Sequence, residues 1–259
     1  MTAPLAPLSA DLKAGLRRLK LSTIRGLAPE MLQVAKTQRW APEELLRTLI
    51  EAEIAAREDS NRASRLKAAG FPVRKTLEDF DLSLSSLPKA TFDYLASLEW
   101  IRGTENLCLV GPPGTGKSHL LLGLGHAAVA AGLRVRYFIA VELLETLYRG
   151  LADNSVGRVI EQLLRADLVI VDELGFAPLD DTGTQLLFRF VAASYERRSL
   201  GIASHWPFDQ WGRFLPEQST AVALLDRLLH HAAVVVMEGE SVRMRQAKVR
   251  GGLPMKKTR

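Results

Sequence analysis

At 259 residues, 47% hydrophobic and 24% charged, the chain can bury one sizeable core plus a smaller appendage, and it carries no internal repeat or low-complexity tract. Its net charge of +5 favours an anionic partner without requiring one, its single cysteine, Cys108, excludes an internal disulfide, and no apolar run approaches the ~20 residues that span a bilayer. The N-terminus lacks a basic start followed by an apolar segment, so the expectation is a cytoplasmic protein with no membrane contact.

In chain order, Ser9 follows Pro4 and Pro7 and is placed to cap a helix carrying Leu12, Leu16 and Leu19 at helical spacing. A short second helix is expected around Met31, Leu32 and Ala35. Ala41-Pro42-Glu43-Glu44 then has the form of a helix start, with proline in the first turn and acids at the positive end of the dipole. That helix can run through Leu45, Leu46, Leu49, Ile50 and Ile54 to Ala69, where Gly70 and Pro72 end it. Its second half loses the apolar stripe and turns basic. Arg57, Arg62, Arg65, Lys67, Arg74 and Lys75 are therefore candidates for contact with a phosphate backbone. The alternative is a solvated face laced with pairs such as Glu53–Arg57 and Glu58–Arg62, and the sequence leaves both readings open. No aromatic residue interleaves with these cations, so binding there is expected to be nearly indifferent to base sequence.

The stretch from Phe71 to Glu105 holds Phe80, Leu82, Leu84 and Leu87, then a helix with Phe92, Leu95, Leu98 and Trp100. Its aromatic and aliphatic residues either flank an adenine ring or pack a core. Asn106 to Ser118, NLCLVGPPGTGKS, follows as an apolar strand, a glycine-rich loop and a helix start. The pattern G-x-x-x-x-G-K-[ST] predicts a phosphate cradle formed by Gly111, Pro112, Pro113, Gly114, Thr115, Gly116, Lys117, Ser118 and His119. Backbone N–H groups converge on the α- and β-phosphates of ATP, Lys117 reaches the β/γ-phosphates and the Ser118 hydroxyl ligates Mg²⁺. A glycine turn that happens to precede a lysine is the competing reading, and the strand-before, helix-after context argues against it.

Beyond the loop, strands at 134–139, 168–171, 200–204 and 233–237 alternate with helices at 141–150, 156–166, 181–197 and 221–231. Strands that are apolar throughout belong in a parallel sheet covered on both faces, so an α/β fold is expected. The strand LVIV leads into Asp172-Glu173 at the edge of the sheet where ligands bind. Asp172 suits Mg²⁺ and Glu173 suits deprotonation of an attacking water, which favours an ATPase over a kinase. Ser204-His205 ends the next strand, and His205 is a candidate to position water or touch the γ-phosphate. Arg227, on the helix AVALLDRLLHHA, is a candidate arginine finger; a surface pairing with an acid such as Asp226 is its ordinary alternative. The five histidines have no cysteine companions or ligand spacing, so no structural metal site is expected from them. From Ser241 onward the chain holds seven Lys/Arg and no acid, suited either to nucleic acid or to solvation.

The phrases LLRTLIEAEIAARE, RLKAAGFP, KTLEDFD, NLCLVGPPGTGKSHL and LLDRLLHHA resemble those of IstB-like AAA+ ATPases, helpers of a DDE transposase in bacterial insertion sequences, over nearly the full length. DnaC-type helicase loaders are the related family. The resemblance implies a P-loop NTPase (AAA+) core, three-layer αβα, with strand order 5-1-4-3-2 and no C-terminal helical lid. It implies a helical domain at residues 1–70 that engages DNA or the transposase, with the ATP-binding domain and a basic tail at 71–259. It also implies ATP-dependent assembly on double-stranded DNA and a homo-oligomer in which Arg227 acts in trans. The chain departs from the family where Ala203-Ser204-His205 replaces Thr-Ser-Asn, and where Gly239-Glu240-Ser241-Val242-Arg243 loses a tyrosine, which leaves the role of Arg243 open. A helicase loader, and a nucleotide-gated DNA clamp with vestigial hydrolysis, are the alternative readings.

Overall fold

The computed structural model describes residues 6–242 and 244. Two compact units divide between Ser64 and Arg65, inside a helix rather than at its end.

The first unit contains α1 (Ala10–Arg18), α2 (Ser22–Gln38) and the start of α3 (Pro42–Ala69). Where a short second helix was expected, α2 runs for 17 residues straight through Pro29. A proline inside a helix deletes one backbone bond. The start of α2 is secured from a distance: its own N-cap position is Leu21, which cannot cap, and the Glu53 carboxylate of α3 accepts from the N–H groups of Thr23 and Ile24 at 2.8 and 3.0 Å. These bonds, the one from Ile24 above all, hold the Glu53 carboxyl below its usual pKa. A small core gathers Leu8, Ala28 and Leu49 with Leu16, Ile24 and Met31, whereas Leu12 and Leu19 of the expected α1 stripe are exposed.

The second unit opens with the end of α3, which stops where the sequence required: Gly70 takes φ +73° before Pro72. The single helix expected around Phe92 to Trp100 is instead two, α4 (Lys89–Ala96) and α5 (Glu99–Arg102), broken where Leu98 takes φ +60°. The core then alternates strand and helix through β1 (Asn106–Val110), α6 (Lys117–Ala130), β2 (Val135–Ile139), α7 (Ala140–Ala152) and α8 (Val156–Leu163). It continues through β3 (Leu168–Leu174), α9 (Asp181–Ser194), β4 (Ser199–Ser204), α10 (Gln218–Leu229) and β5 (Ala232–Val236). All pairings are parallel, in the order β2-β3-β4-β1-β5.

Alternate residues of each strand serve opposite faces. Cys108, Val169, Val171, Leu200 and Ile202 pack under α7, α8, α9 and α10. Leu107, Leu109, Leu168, Ile170 and Ala203 pack under α4, α5 and α6. The result is three layers with an apolar sheet at the centre, and Cys108 is buried there with its thiol pushed up to about 12, an inert filler. The lid question concerns residues beyond 244, outside those described.

Candidate active site

β1 delivers the chain into the glycine loop. Gly111 has φ +141° and Gly114 φ +86°, conformations that favour glycine, and both also lie against neighbouring atoms. A Cβ on Gly111 would meet the Met237 carbonyl oxygen at 2.0 Å, and one on Gly114 would meet the Ser241 Oγ at 2.1 Å. The segment after β5 is fastened there: Met237 N donates to Val110 O at 2.8 Å and Val242 N to Gly114 O at 3.0 Å. Within the Gly239–Arg243 stretch singled out in the sequence, Ser241 and Val242 thus meet the loop, and Arg243 lies outside the described residues.

Gly116 precedes α6, whose first residue is Lys117. The N-terminus of that helix, with the positive end of its dipole, adjoins the loop, the arrangement that receives phosphate. Lys117 is buried, and its Nζ donates to the carbonyls of Gly111 and Pro112 at 2.6 and 2.7 Å. Thr115 Oγ1 donates to the Pro112 carbonyl at 3.0 Å, and Ser118 is exposed. His119, nominated with the loop, has its Nε2 3.2 Å from the Thr76 carbonyl and its ring edge-on to Phe80. Phe80 stacks on Phe92, and a Cβ on Gly116 would lie 3.1 Å from it, so this aromatic pair adjoins the base of the loop.

β3 continues through the carboxylate pair. Val171 is paired with Ile202 and Leu174 with Ser204, so Asp172 and Glu173 together oppose the single residue Ala203. This is a β-bulge. It leaves Asp172 buried at 3% exposure while Glu173, at φ +58°, is exposed at the C-terminal edge of the sheet. The Tyr137 hydroxyl donates to Asp172 Oδ2 at 3.0 Å, and Glu173 N donates to Oδ1 at 2.8 Å. Burial, and then the Asp172 charge, push the Tyr137 hydroxyl far above its ordinary pKa, so it stays a donor. The hydroxyl of Ser118 and the carboxylate of Asp172 make an all-oxygen donor set, which suits Mg²⁺.

β4 lies between β1 and β3, which puts His205 between the loop and the carboxylates. Partial burial, with the Lys117 charge as second cause, holds His205 below its usual pKa. Its ring lies 4.6 Å from that of Trp206 and 6.4 Å from that of Phe176.

Arg227 is elsewhere. Its guanidinium lies over the Phe188 ring at 4.7 Å, and it forms no ion pair among the described residues, so the anticipated acidic partner is replaced by an aromatic face. The end of its helix is tied to the opposite edge of the sheet. Asn106, the first residue of β1, donates from Nδ2 to Leu228 O at 2.9 Å and from its backbone N to His231 O at 2.7 Å. The length of β1, roughly 13 Å at about 3.3 Å per step, separates that edge from the loop.

Of the basic candidates, Arg57 is committed to structure: its Nε donates to Glu53 Oε1 at 3.0 Å and its Nη2 to Lys20 O at 2.8 Å. Arg62, Lys67, Arg74 and Lys75 are exposed, and Arg65 is half-buried. Tyr137 and Met237 carry no signal as site residues in the sequence, because each meets the site through a long-range pairing that no local motif encodes.

The family model described as IstB-like ATP binding protein matches residues 14–249. The chain belongs to this family. The IstB-like chain is 34% identical to the ATP-binding protein of insertion sequence IS21 from Pseudomonas aeruginosa, over 94% of this chain and 92% of that one. It is 30% identical to the ATP-binding protein of insertion sequence IS5376 from Geobacillus stearothermophilus, over 90% and 93%. Among solved structures it is similar in fold to DnaI, at TM-score 0.53 and 17% identity over 64% of this chain and 92% of that one. It is likewise similar to AMPPCP-bound DnaA from Aquifex aeolicus, at TM-score 0.51 and 20% identity over 70% and 57%. The IstB-like chain is thus an ATP-binding P-loop protein of AAA+ architecture, with the strand order 2-3-4-1-5 that the resemblance implied. Among the described residues no helix is long and apolar enough to cross a membrane.

Proposed function

We propose that this IstB-like protein hydrolyses ATP and uses its nucleotide state to control assembly on DNA and recruitment of a DDE transposase. The observation that carries hydrolysis is the bulge in β3, which buries Asp172 yet exposes Glu173 beside it at the edge shared with the loop and His205. In this reading Lys117 and the α6 N-terminus hold the phosphates. Ser118 and Asp172 would hold Mg²⁺, which when bound would supply positive charge to offset that of the phosphates. Glu173 takes a proton from water as its oxygen attacks the γ-phosphorus, the bond to the bridging oxygen breaks, and ADP leaves. His205 in its neutral form donates a hydrogen bond to the γ-phosphate.

The link to transposition rests on the relatives, whose names place them in insertion sequences. DNA contact is assigned to the helical region 1–70 and the basic residues just after it, with Arg62, Lys67, Arg74 and Lys75 exposed for phosphates and Arg65 partly so. Arg227 in trans would make turnover depend on a homo-oligomer. The protein would act in the bacterial cytoplasm, where transposase and DNA meet. His205 in place of the family's asparagine supports one second reading, a nucleotide-gated clamp with vestigial hydrolysis.

Steady-state phosphate release with and without duplex DNA tests the proposal. The expected result is release by the parent protein, abolished in Lys117→Ala through loss of ATP binding and in Glu173→Gln with ATP still bound. A Glu173→Gln protein that turns over at the parental rate would remove Glu173 as the base. A parent that binds ATP and DNA yet releases no phosphate would favour the clamp.

A further inference from the structure

The histidines give no ligand pattern in the sequence, but folding supplies a third group. α9 and α10 pack side by side, and at their C-terminal ends Glu196, His230 and His231 each present a ligand atom, all within 4.8 Å of one another. Glu196 comes from the turn after α9, 35 residues before His231. We propose that these three side chains form a transition-metal site, of the Zn²⁺ class, that ties the end of α9 to the end of α10.

One pair of ligand atoms already stands at coordination spacing. Two ligand atoms about 2.1 Å from a tetrahedral Zn²⁺ lie ~3.4 Å apart, and His231 Nε2 is 3.3 Å from Glu196 Oε1. The His230 and His231 rings are adjacent, with centroids 4.1 Å apart. Tyr195 bonds through its hydroxyl to His230 Nδ1, a contact that orients the ring. Imidazole nitrogens with one carboxylate select Zn²⁺ and its neighbours over Mg²⁺ or Ca²⁺, and three protein ligands leave a fourth position for water.

Two further observations point to a cation at this place. Both helices end here, α9 at Ser194 and α10 at Leu229, so two sets of C-terminal carbonyls contribute partial negative charge. Glu196 also has φ +54°, in the left-handed region where a helix end ordinarily has glycine. A glutamate accepts that conformation here with its carboxylate beside His231. Arg227 lies one turn before His231, so the ion would anchor the segment that carries the proposed finger.

The test uses tag-free, full-length protein stripped with a chelator and then titrated with Co²⁺ alone and with Zn²⁺ alone. One equivalent of Co²⁺ should give the visible absorption of a four-coordinate N/O site, Zn²⁺ should displace it, and Zn²⁺ should raise the melting temperature. Glu196→Gln and His231→Gln should each weaken Co²⁺ binding at least tenfold, and Tyr195→Phe by about 10-fold or more. His126→Gln should change nothing. Circular dichroism and retained ATP binding show that each variant is folded; the side chains are exposed, so loss of fold is not expected. No cobalt spectrum in the parent, or unchanged affinity in both ligand variants, would reduce the cluster to a Glu196–His231 ion pair beside a Tyr195–His230 hydrogen bond.

Discussion

The Tyr137 hydroxyl, on β2, donates to Oδ2 of Asp172 on the neighbouring strand β3, and through it fixes the carboxylate assigned to Mg²⁺. Tyr137→Phe removes one hydrogen bond to a buried charge, worth about 1.5–3 kcal/mol. The expected outcome is a loss of that size in urea unfolding, together with a higher Mg²⁺ concentration for half-maximal turnover. ATP affinity without Mg²⁺ should be unchanged. An unaltered Mg²⁺ dependence would make the tyrosine a packing residue only.

Why this tyrosine was illegible in the sequence follows from what was legible. The glycine loop and the strand before Asp172 declare themselves locally: parallel strands buried on both faces read as apolar runs, and the phosphate loop is one contiguous pattern. Strand order came from the family resemblance, and the register agrees with it. The remaining features are pairings across the chain. Glu53 caps α2 from about 30 residues away, Ser241 presses on Gly114, and Glu196 meets His231. The bulge at Asp172-Glu173 is likewise a property of two strands together, so a single sequence offers no sign of it.

Asn106 shows how much such a pairing can hold. Its Oδ1 accepts from Leu200 N at 2.9 Å while its Nδ2 donates to Leu228 O, joining β1, β4 and the end of α10. Asn106→Leu leaves a buried N–H and a buried carbonyl unpaired, each costing about 1–3 kcal/mol. Chemical denaturation should show that loss with little change in slope. Stability within experimental error of the parent would mean that water or a shifted α10 replaces both bonds.

His205 has a pKa below its usual value, first through burial and then through the Lys117 charge. In the window between its folded pKa and the unfolded value of about 6.5, the unfolded chain binds more protons. Stability therefore rises with pH through that window, and the same contribution is lost as pH falls back through it. Denaturation midpoints measured between mildly acidic and neutral pH should show this slope in the parent and a shallower one in His205→Asn. An identical slope in both would assign the dependence to other groups, with His126, also held low by burial, the first to examine.

Arg227 lies over Phe188 on a helix whose end is tied to the start of β1, a strand's length from the phosphate loop. The roughly 13 Å that β1 spans lies between that helix end and the loop, so action on a neighbour's nucleotide is the reading that a mixing experiment tests. Arg227→Ala should lower turnover by about 10³ or more while ATP still binds, the cost of a missing finger in other NTPases. Glu173→Gln should be as inactive for a different reason. Mixed on DNA, the two proteins create interfaces at which the Arg227→Ala subunit supplies an intact Glu173 site and the Glu173→Gln subunit supplies Arg227. Phosphate release should then reappear and vary with the mixing ratio, greatest when the two are comparable. If differential labelling shows mixed assemblies and no activity returns, Arg227 serves only its own subunit through Phe188, and hydrolysis no longer requires an oligomer.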